Sequence, residues 1–203
     1  RVLGTDHLTL RMLGITGTNG KTTTAYLVHS ALTALGEGTG LIGTVETRIG
    51  DERLGSVRTT PEAPELHAVL AVMAERGLRT CVMEVSSHAL AQHRVYDVGL
   101  FTSLSQDHLD FHDGMDDYFA AKASMFTPQR ARRGLVCVDD DWGRRLAREA
   151  GIPVETIATV HAGAARDGAP EATWLITVDD ADPAAFRLTG PGVDLHLRSR
   201  LPG

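Results

Sequence analysis

Residues 11–35 read RMLGITGTNGKTTTAYLVHSALTAL, and the three pieces of this stretch decide the fold. RMLGIT (11–16) is a strand candidate. TTTAYLVHSALTAL (22–35) carries Leu27, Ala31, Leu32 and Leu35 at helical spacing, and Gly36 closes it as a C-cap. Between strand and helix lies GITGTNGKTTT (14–24), where a phosphate-binding loop belongs. Glycines let such a backbone curl so that its N–H groups face phosphate oxygens, and the helix N-terminus adds its positive end. Lys21 offers a point charge to phosphates, and Thr22 a hydroxyl for Mg2+. The strict spacing G-x-x-x-x-G-K-[ST] would need glycine at position 15, which is Ile15. Gly14, Gly17 and Gly20 instead fall at every third residue, so the loop is a variant. A plain glycine turn before an ordinary helix is the alternative, and the position of GKT between strand and helix argues against it.

Outward from this unit, apolar β-rich runs alternate with amphipathic stretches. GLIGTV (40–45), LRTCVMEV (78–85), VGLFTSLS (98–105) and GLVCVDD (134–140) read as strands, the second apolar enough to be buried on both faces. Leu66, Val69, Leu70 and Met73 mark a helix ending near Gly77; MDDYFAAKASMF (115–126) and DWGRRLAREA (141–150) mark two more. GDERLGSVRTTPEAP (50–64) reads as a polar loop. Beyond residue 165, TWLITVDD, AAFRLTG and VDLHLRSR alternate apolar and polar side chains, as antiparallel strands with one wet face do. The expected class is α/β: a phosphate-loop-type, mostly parallel sheet flanked by helices, with an antiparallel β elaboration near the C-terminus.

The chain has 203 residues, 42% of them hydrophobic, enough for one domain with a sizeable core. Its formal charge of -6 and scattered basic residues leave no electrostatic footprint for nucleic acid. Cys81 and Cys137 each sit inside an apolar run without metal or redox spacing, and read as buried thiols of a reducing compartment. No apolar run approaches the roughly 20 residues that span a bilayer, so the expectation is a cytoplasmic protein with no membrane partner, working as a monomer. Arg1 at the start and LPG at the end point to a segment of a longer polypeptide.

Glu84 ends a strand, where phosphate-loop enzymes keep an acidic residue for Mg2+; the alternative is a solvated strand-end glutamate. It also opens EVSSHALAQHR (84–94), in which a serine beside a histidine invites a hydrolase reading. The nucleophile elbow G-x-S-x-G is absent around Ser86, which disfavours that reading. SQDHLDFHD (105–113) follows another strand, on the side where such sheets bind ligands. His108 and His112 stand four apart, but no cysteine accompanies them and no glutamate follows the first, so zinc is weak against an Asp-rich surface turn or a catalytic loop. Lys122 falls within the stripe of Met115, Tyr118, Phe119, Met125 and Phe126. Such a lysine either snorkels to solvent or is desolvated. A desolvated lysine has a lowered pKa, and its neutral amine can take up carbon dioxide as a carbamate, an extra carboxylate for metal.

TGTNGKTTT, TTPEAPELH, MEVSSHALAQHR, DHLDFH and YFAAKASMF occur in this order, and together they resemble the Mur ligases of peptidoglycan synthesis, most of all those adding the third residue to UDP-N-acetylmuramoyl-L-alanyl-D-glutamate. The close match runs from about residue 12 to 126. The resemblance implies that residues 1–203 are the central ATPase domain of three, without the N-terminal uridine-nucleotide domain and the C-terminal domain that helps bind ATP and the amino acid. It implies an ADP-forming ligase working through an acyl phosphate, with ATP and Mg2+ as cofactors and a UDP-N-acetylmuramoyl-dipeptide and an amino acid as partners. ATP would be held by Gly17, Thr18, Asn19, Gly20, Lys21, Thr22 and Thr23. Metal would be held by Thr22, Glu84, His108 and carbamylated Lys122, with Lys21, Lys122 and His108 catalytic. Thr59, Thr60, Ser86, Gln92 and Arg94 would contact the muramoyl substrate. Two positions depart from the family's usual asparagine: Arg58, before the threonine pair, and Ser103, before DHLD.

Overall fold

The computed structural model describes residues 9–55, 59–86, 96–106, 113–162, 171–179 and 181–199. Its strands are β1 (Arg11–Thr16), β2 (Thr39–Ile42), β3 (Glu46–Ile49), β4 (Glu52–Gly55), β5 (Thr80–Glu84), β6 (Tyr96–Phe101), β7 (Ala131–Cys137), β8 (Val154–His161), β9 (Trp174–Asp179), β10 (Asp182–Gly190) and β11 (Val193–Arg198). The helices are α1 (Lys21–Ala34), α2 (Ala63–Glu75), α3 (Met115–Ala123) and α4 (Asp141–Glu149). All strands form one sheet in the order β11-β10-β9-β8-β7-β6-β1-β5-β2-β3-β4. From β9 to β2 every neighbouring pair is parallel. Antiparallel partners extend both edges, β3 and β4 on one side and β10 and β11 on the other. The α/β class expected from the sequence is therefore the observed one.

Four local expectations are corrected. Residues 50–55 are not loop: a hairpin turning at Gly50, with φ 63°, pairs β3 with β4. Its strands are too short and polar to register as a period-2 pattern. Residues 154–161, assigned to nothing, form β8, and TWLITVDD lies parallel to it rather than purely antiparallel. The stripe on α1 is also rotated. Leu27 and Leu35 are 51% and 81% exposed and Ala31 is exposed. Ala25 and His29 face the sheet instead, with Tyr26, Val28 and Leu32 packed beside them on Ile15, Leu41 and Val82. A small residue and a polar one carry the buried face, which a hydrophobicity count does not see. Finally, Cys137 is only half-buried, unlike Cys81; burial still pushes its thiol up to about 11.

α2, α3 and α4 contribute to the larger core cluster, and α1 to the smaller one. α2 begins after Glu62 with Pro64 in its first turn and ends at Gly77, whose φ is 74°. Leu66, Leu70 and Met73 are its buried face, and each contributes about 1.5–3 kcal/mol by leaving water. α4 starts at Asp140, whose carboxylate accepts from Gly143 N at 2.6 Å.

The expected helix over 115–126 gives way at Ser124–Phe126 to a 3-10 turn. The cause lies in the sheet. Gly14, Gly99 and Gly134 are register partners across β1, β6 and β7. A Cβ at Gly14 would overlap Met125 and stand 2.7 Å from Tyr96, and one at Gly134 would stand 2.8 Å from the Phe126 ring. The glycines open a trough that receives Met125 and Phe126, both fully buried. Only Ala123 separates Lys122 from this turn, so the trough anchors the end of the helix that carries the lysine.

His29 is 6% exposed, and its Nε2 has no hydrogen-bond partner. Burial, and then the nearby Arg48 guanidinium, hold its pKa below the ordinary 6.5, against a bond to the Thr39 backbone and the charge of Glu46. The unfolded chain thus binds a proton that the folded chain refuses. Stability from the neutral imidazole is complete above about pH 6.5 and drains as pH falls towards the folded-state value. In acid titrations of the unfolding midpoint, His29→Leu is expected to flatten this limb; coincident limbs would overturn the assignment.

Candidate active site

The parallel strands β5, β1 and β6 end together, with Ile15 of β1 opposite Glu84 and Thr16 opposite Phe101. Such an edge collects the loops that follow each strand. The loop after β1 makes two sharp bends, Gly17 at φ 145° and Gly20 at φ 82°, and Gly20 leads into α1. Both bends need glycine. A Cβ on Gly17 would also crowd Ser103, at 3.0 Å from its carbonyl oxygen.

The loop is tied to the segment after β6. Thr18 N donates to Ser103 O at 2.7 Å, Thr102 Oγ1 donates to Asn19 O at 2.7 Å, and Ser105 N donates to Thr18 Oγ1 at 3.1 Å. Asn19 Nδ2 donates to Ser105 Oγ at 3.1 Å. Ser103 acts here through its main chain, so the loop's anchor does not depend on which side chain stands at that position.

Two lysines converge on the loop. Lys21 Nζ donates to Gly17 O at 2.9 Å and Thr18 O at 2.8 Å. Lys122 Nζ reaches the same Gly17 oxygen at 3.0 Å from α3. Lys122 is 2% exposed and lies 4.4 Å above the Tyr118 ring, so it does not snorkel. Glu84 is no solvated strand end either, being fully buried. Its Oε2 accepts from Thr22 Oγ1 at 2.9 Å. Thr22 is in the first turn of α1, so helix start and strand end meet at one carboxylate. Thr23, beside it, is exposed.

Of the substrate candidates, Thr60 Oγ1 donates to the Glu84 main-chain oxygen at 3.0 Å and accepts from Ser86 N at 3.2 Å. Thr60 and Ser86 thus meet at the main chain that ends β5, and Thr59 Oγ1 accepts from Thr44 Oγ1 at 3.2 Å. Gln92, Arg94 and His108 lie outside the described residues, as do Arg58, His88, His93 and His112. Among the described residues no group of three or more His, Cys, Asp or Glu gathers in a metal-binding arrangement. The sequence reading missed Thr44, whose main chain and hydroxyl both reach Glu84, and Thr102. Each follows a strand on the same sheet edge, and that position was the available signal.

Residues 15–203 match the family model described as the Mur ligase middle domain. The chain belongs to the Mur ligase family. The UDP-N-acetylmuramoyl-L-alanyl-D-glutamate--2,6-diaminopimelate ligase of Streptomyces coelicolor is 51% identical over 201 residues, covering 96% of this chain and 38% of that protein. The UDP-N-acetylmuramyl-tripeptide synthetase of Leifsonia xyli is 49% identical over 194 residues, covering 93% of this chain and 36% of the relative. A solved structure of a UDP-N-acetylmuramoyl-L-alanyl-D-glutamate--2,6-diaminopimelate ligase superposes with a TM-score of 0.76 at 24% identity, over 95% of this chain and 39% of that one, and shares the fold. The Mur ligase chain described here thus spans less than two fifths of these relatives.

Proposed function

We propose that residues 1–203 are the middle, ATP-using domain of a three-domain, ADP-forming ligase that joins the third amino acid to UDP-N-acetylmuramoyl-L-alanyl-D-glutamate. The observation that carries this reading is the buried Glu84 carboxylate held 2.9 Å from the Thr22 hydroxyl at the mouth of the glycine loop. A carboxylate and a hydroxyl are hard oxygen donors of the kind that hold Mg2+ together with phosphates. Mg2+ bound there would offset the charge of the transferring phosphoryl group.

In this reading the loop amides from Gly17 to Thr23 and the Lys21 ammonium receive the phosphates of ATP. Thr59, Thr60, Ser86, Gln92 and Arg94 orient the muramoyl-dipeptide; Arg94 can fork onto a carboxylate. The substrate carboxylate oxygen bonds to the γ-phosphorus as ADP leaves. The amino group then attacks the acyl carbon, phosphate departs, a proton is lost, and an amide remains. Lys122, as its carbamate, and His108 supply a second set of metal donors. The Streptomyces coelicolor relative is named for 2,6-diaminopimelate, which makes it the first amino acid to test. Both described cysteines are free and no described helix is long and apolar enough to cross a membrane, in keeping with work in the cytoplasm.

The test is ADP release by the full-length protein, supplied with ATP, Mg2+, UDP-N-acetylmuramoyl-dipeptide and a panel of amino acids. Release should require both the muramoyl substrate and one amino acid. ADP formed at the same rate without the muramoyl substrate would identify a generic nucleotide hydrolase instead.

A further inference from the structure

The corner between β2 and β3, Gly43 to Val45, has no part in the roles above. Gly43 N donates to Glu46 O at 3.1 Å and closes the turn. A Cβ on Gly43 would overlap the Glu84 Oε1 atom. The next residue, Thr44, touches the carboxylate twice: its N–H donates to Oε1 at 2.9 Å and its hydroxyl to Oε2 at 3.0 Å. Of the three donors among the described residues, two therefore come from Thr44 and the third from Thr22.

The Thr44 hydroxyl also lies 3.2 Å from Thr59 Oγ1. A hydroxyl has a single proton to give, and a buried carboxylate is a stronger acceptor than another hydroxyl. Thr44 Oγ1 faces both acceptors, Glu84 Oε2 at 3.0 Å and Thr59 Oγ1 at 3.2 Å, and the carboxylate takes the larger share of its proton. Thr44 therefore links Glu84, on the proposed metal side of the site, to Thr59, on its proposed substrate side.

We infer that Thr44 is a positioning residue: it fixes the rotation of the Glu84 carboxylate and, through Thr59, ties that pose to the substrate side. A terminal carboxylate torsion is broad and does not fix itself. Donors on a hydrogen-bonded sheet edge set it, as outer partners orient metal-binding carboxylates generally. The inference rests on the functional reading above, since it gives Glu84 a cation to hold.

The experiment is a Mg2+ titration of nucleotide binding to the full-length protein, read with a fluorescent ATP analogue, beside the melting temperature. Thr44→Val keeps the shape and the N–H bond but loses the hydroxyl. It should melt as wild type and need about tenfold more Mg2+ for half-maximal binding. Thr44→Ser should restore the wild-type requirement. In a Glu84→Gln background Thr44→Val should add nothing, because it acts through that carboxylate. Should Thr44→Val fail to fold, Thr44→Ala carries the test, because it also removes the hydroxyl, keeps the N–H bond and should raise the Mg2+ requirement in the same direction. An unchanged requirement in the folded variant, or effects of Thr44→Val and Glu84→Gln that add independently, would overturn the inference alone. A wild-type protein without Mg2+-dependent nucleotide binding would overturn the functional reading and this inference with it.

Discussion

Lys122→Met in the full-length protein is expected to lower ligation by roughly two to three orders of magnitude, while the fold stays as stable as wild type or becomes more so. The two effects separate because Lys122 is an expensive residue to keep. Its amine is buried, with Gly17 O at 3.0 Å and the Tyr118 ring at 4.4 Å as partners. Enclosing a charge costs several kcal/mol, and neutral replacements of similar volume are often tolerated or stabilising. Methionine fills the same space and lies well against an aromatic ring. We propose that a side chain which burdens the fold and is still placed against the loop is kept for chemistry. Grown with isotopically labelled bicarbonate, the wild-type protein should carry label at Lys122. A methionine variant with wild-type turnover would refute the catalytic role, and unlabelled lysine would refute the carbamate.

Phe126→Ala is expected to cost about 3–5 kcal/mol in chemical unfolding. Phe126 is fully buried, meets Phe101 edge-on with ring centroids 6.5 Å apart, and lies against Gly134. The strands flanking the trough are held by the parallel ladder and cannot collapse into the vacated space, so most of the cavity should persist. The loss should reach the site too, since Phe126 and Met125 seat the turn after Lys122. A loss below about 1 kcal/mol would mean that the trough refills, contrary to a rigid sheet.

How far the site was legible in the sequence varied residue by residue. Gly17, Gly20, Lys21 and Thr22 were readable because their roles are local: bend, charge and hydroxyl follow one another along a few residues between strand and helix. Glu84 was readable as a strand end, but its burial was not. Thr44 was readable only as a position after a strand, because its contact with Glu84 comes from β2 lying beside β5, which brings together residues forty apart in sequence. The α1 stripe was misplaced for a related reason. Which face of a helix is covered depends on the sheet beneath it, and here Ala25 and His29 fitted that surface better than Leu27 and Leu35.

The sequence by itself determined the α/β class, the place of the glycine loop and the family, since these rest on periodicity and on motifs contiguous along the chain. Tertiary structure alone decided the rest: that Lys21 and Lys122 share the Gly17 oxygen, that a glycine trough across three strands seats the turn after α3, and that Glu84 is met by the hydroxyls of Thr22 and Thr44. The physical reason is that strand order in a parallel sheet is not sequence order. It fixes which strand ends become neighbours, and hydrogen bonds act only between groups about 3 Å apart.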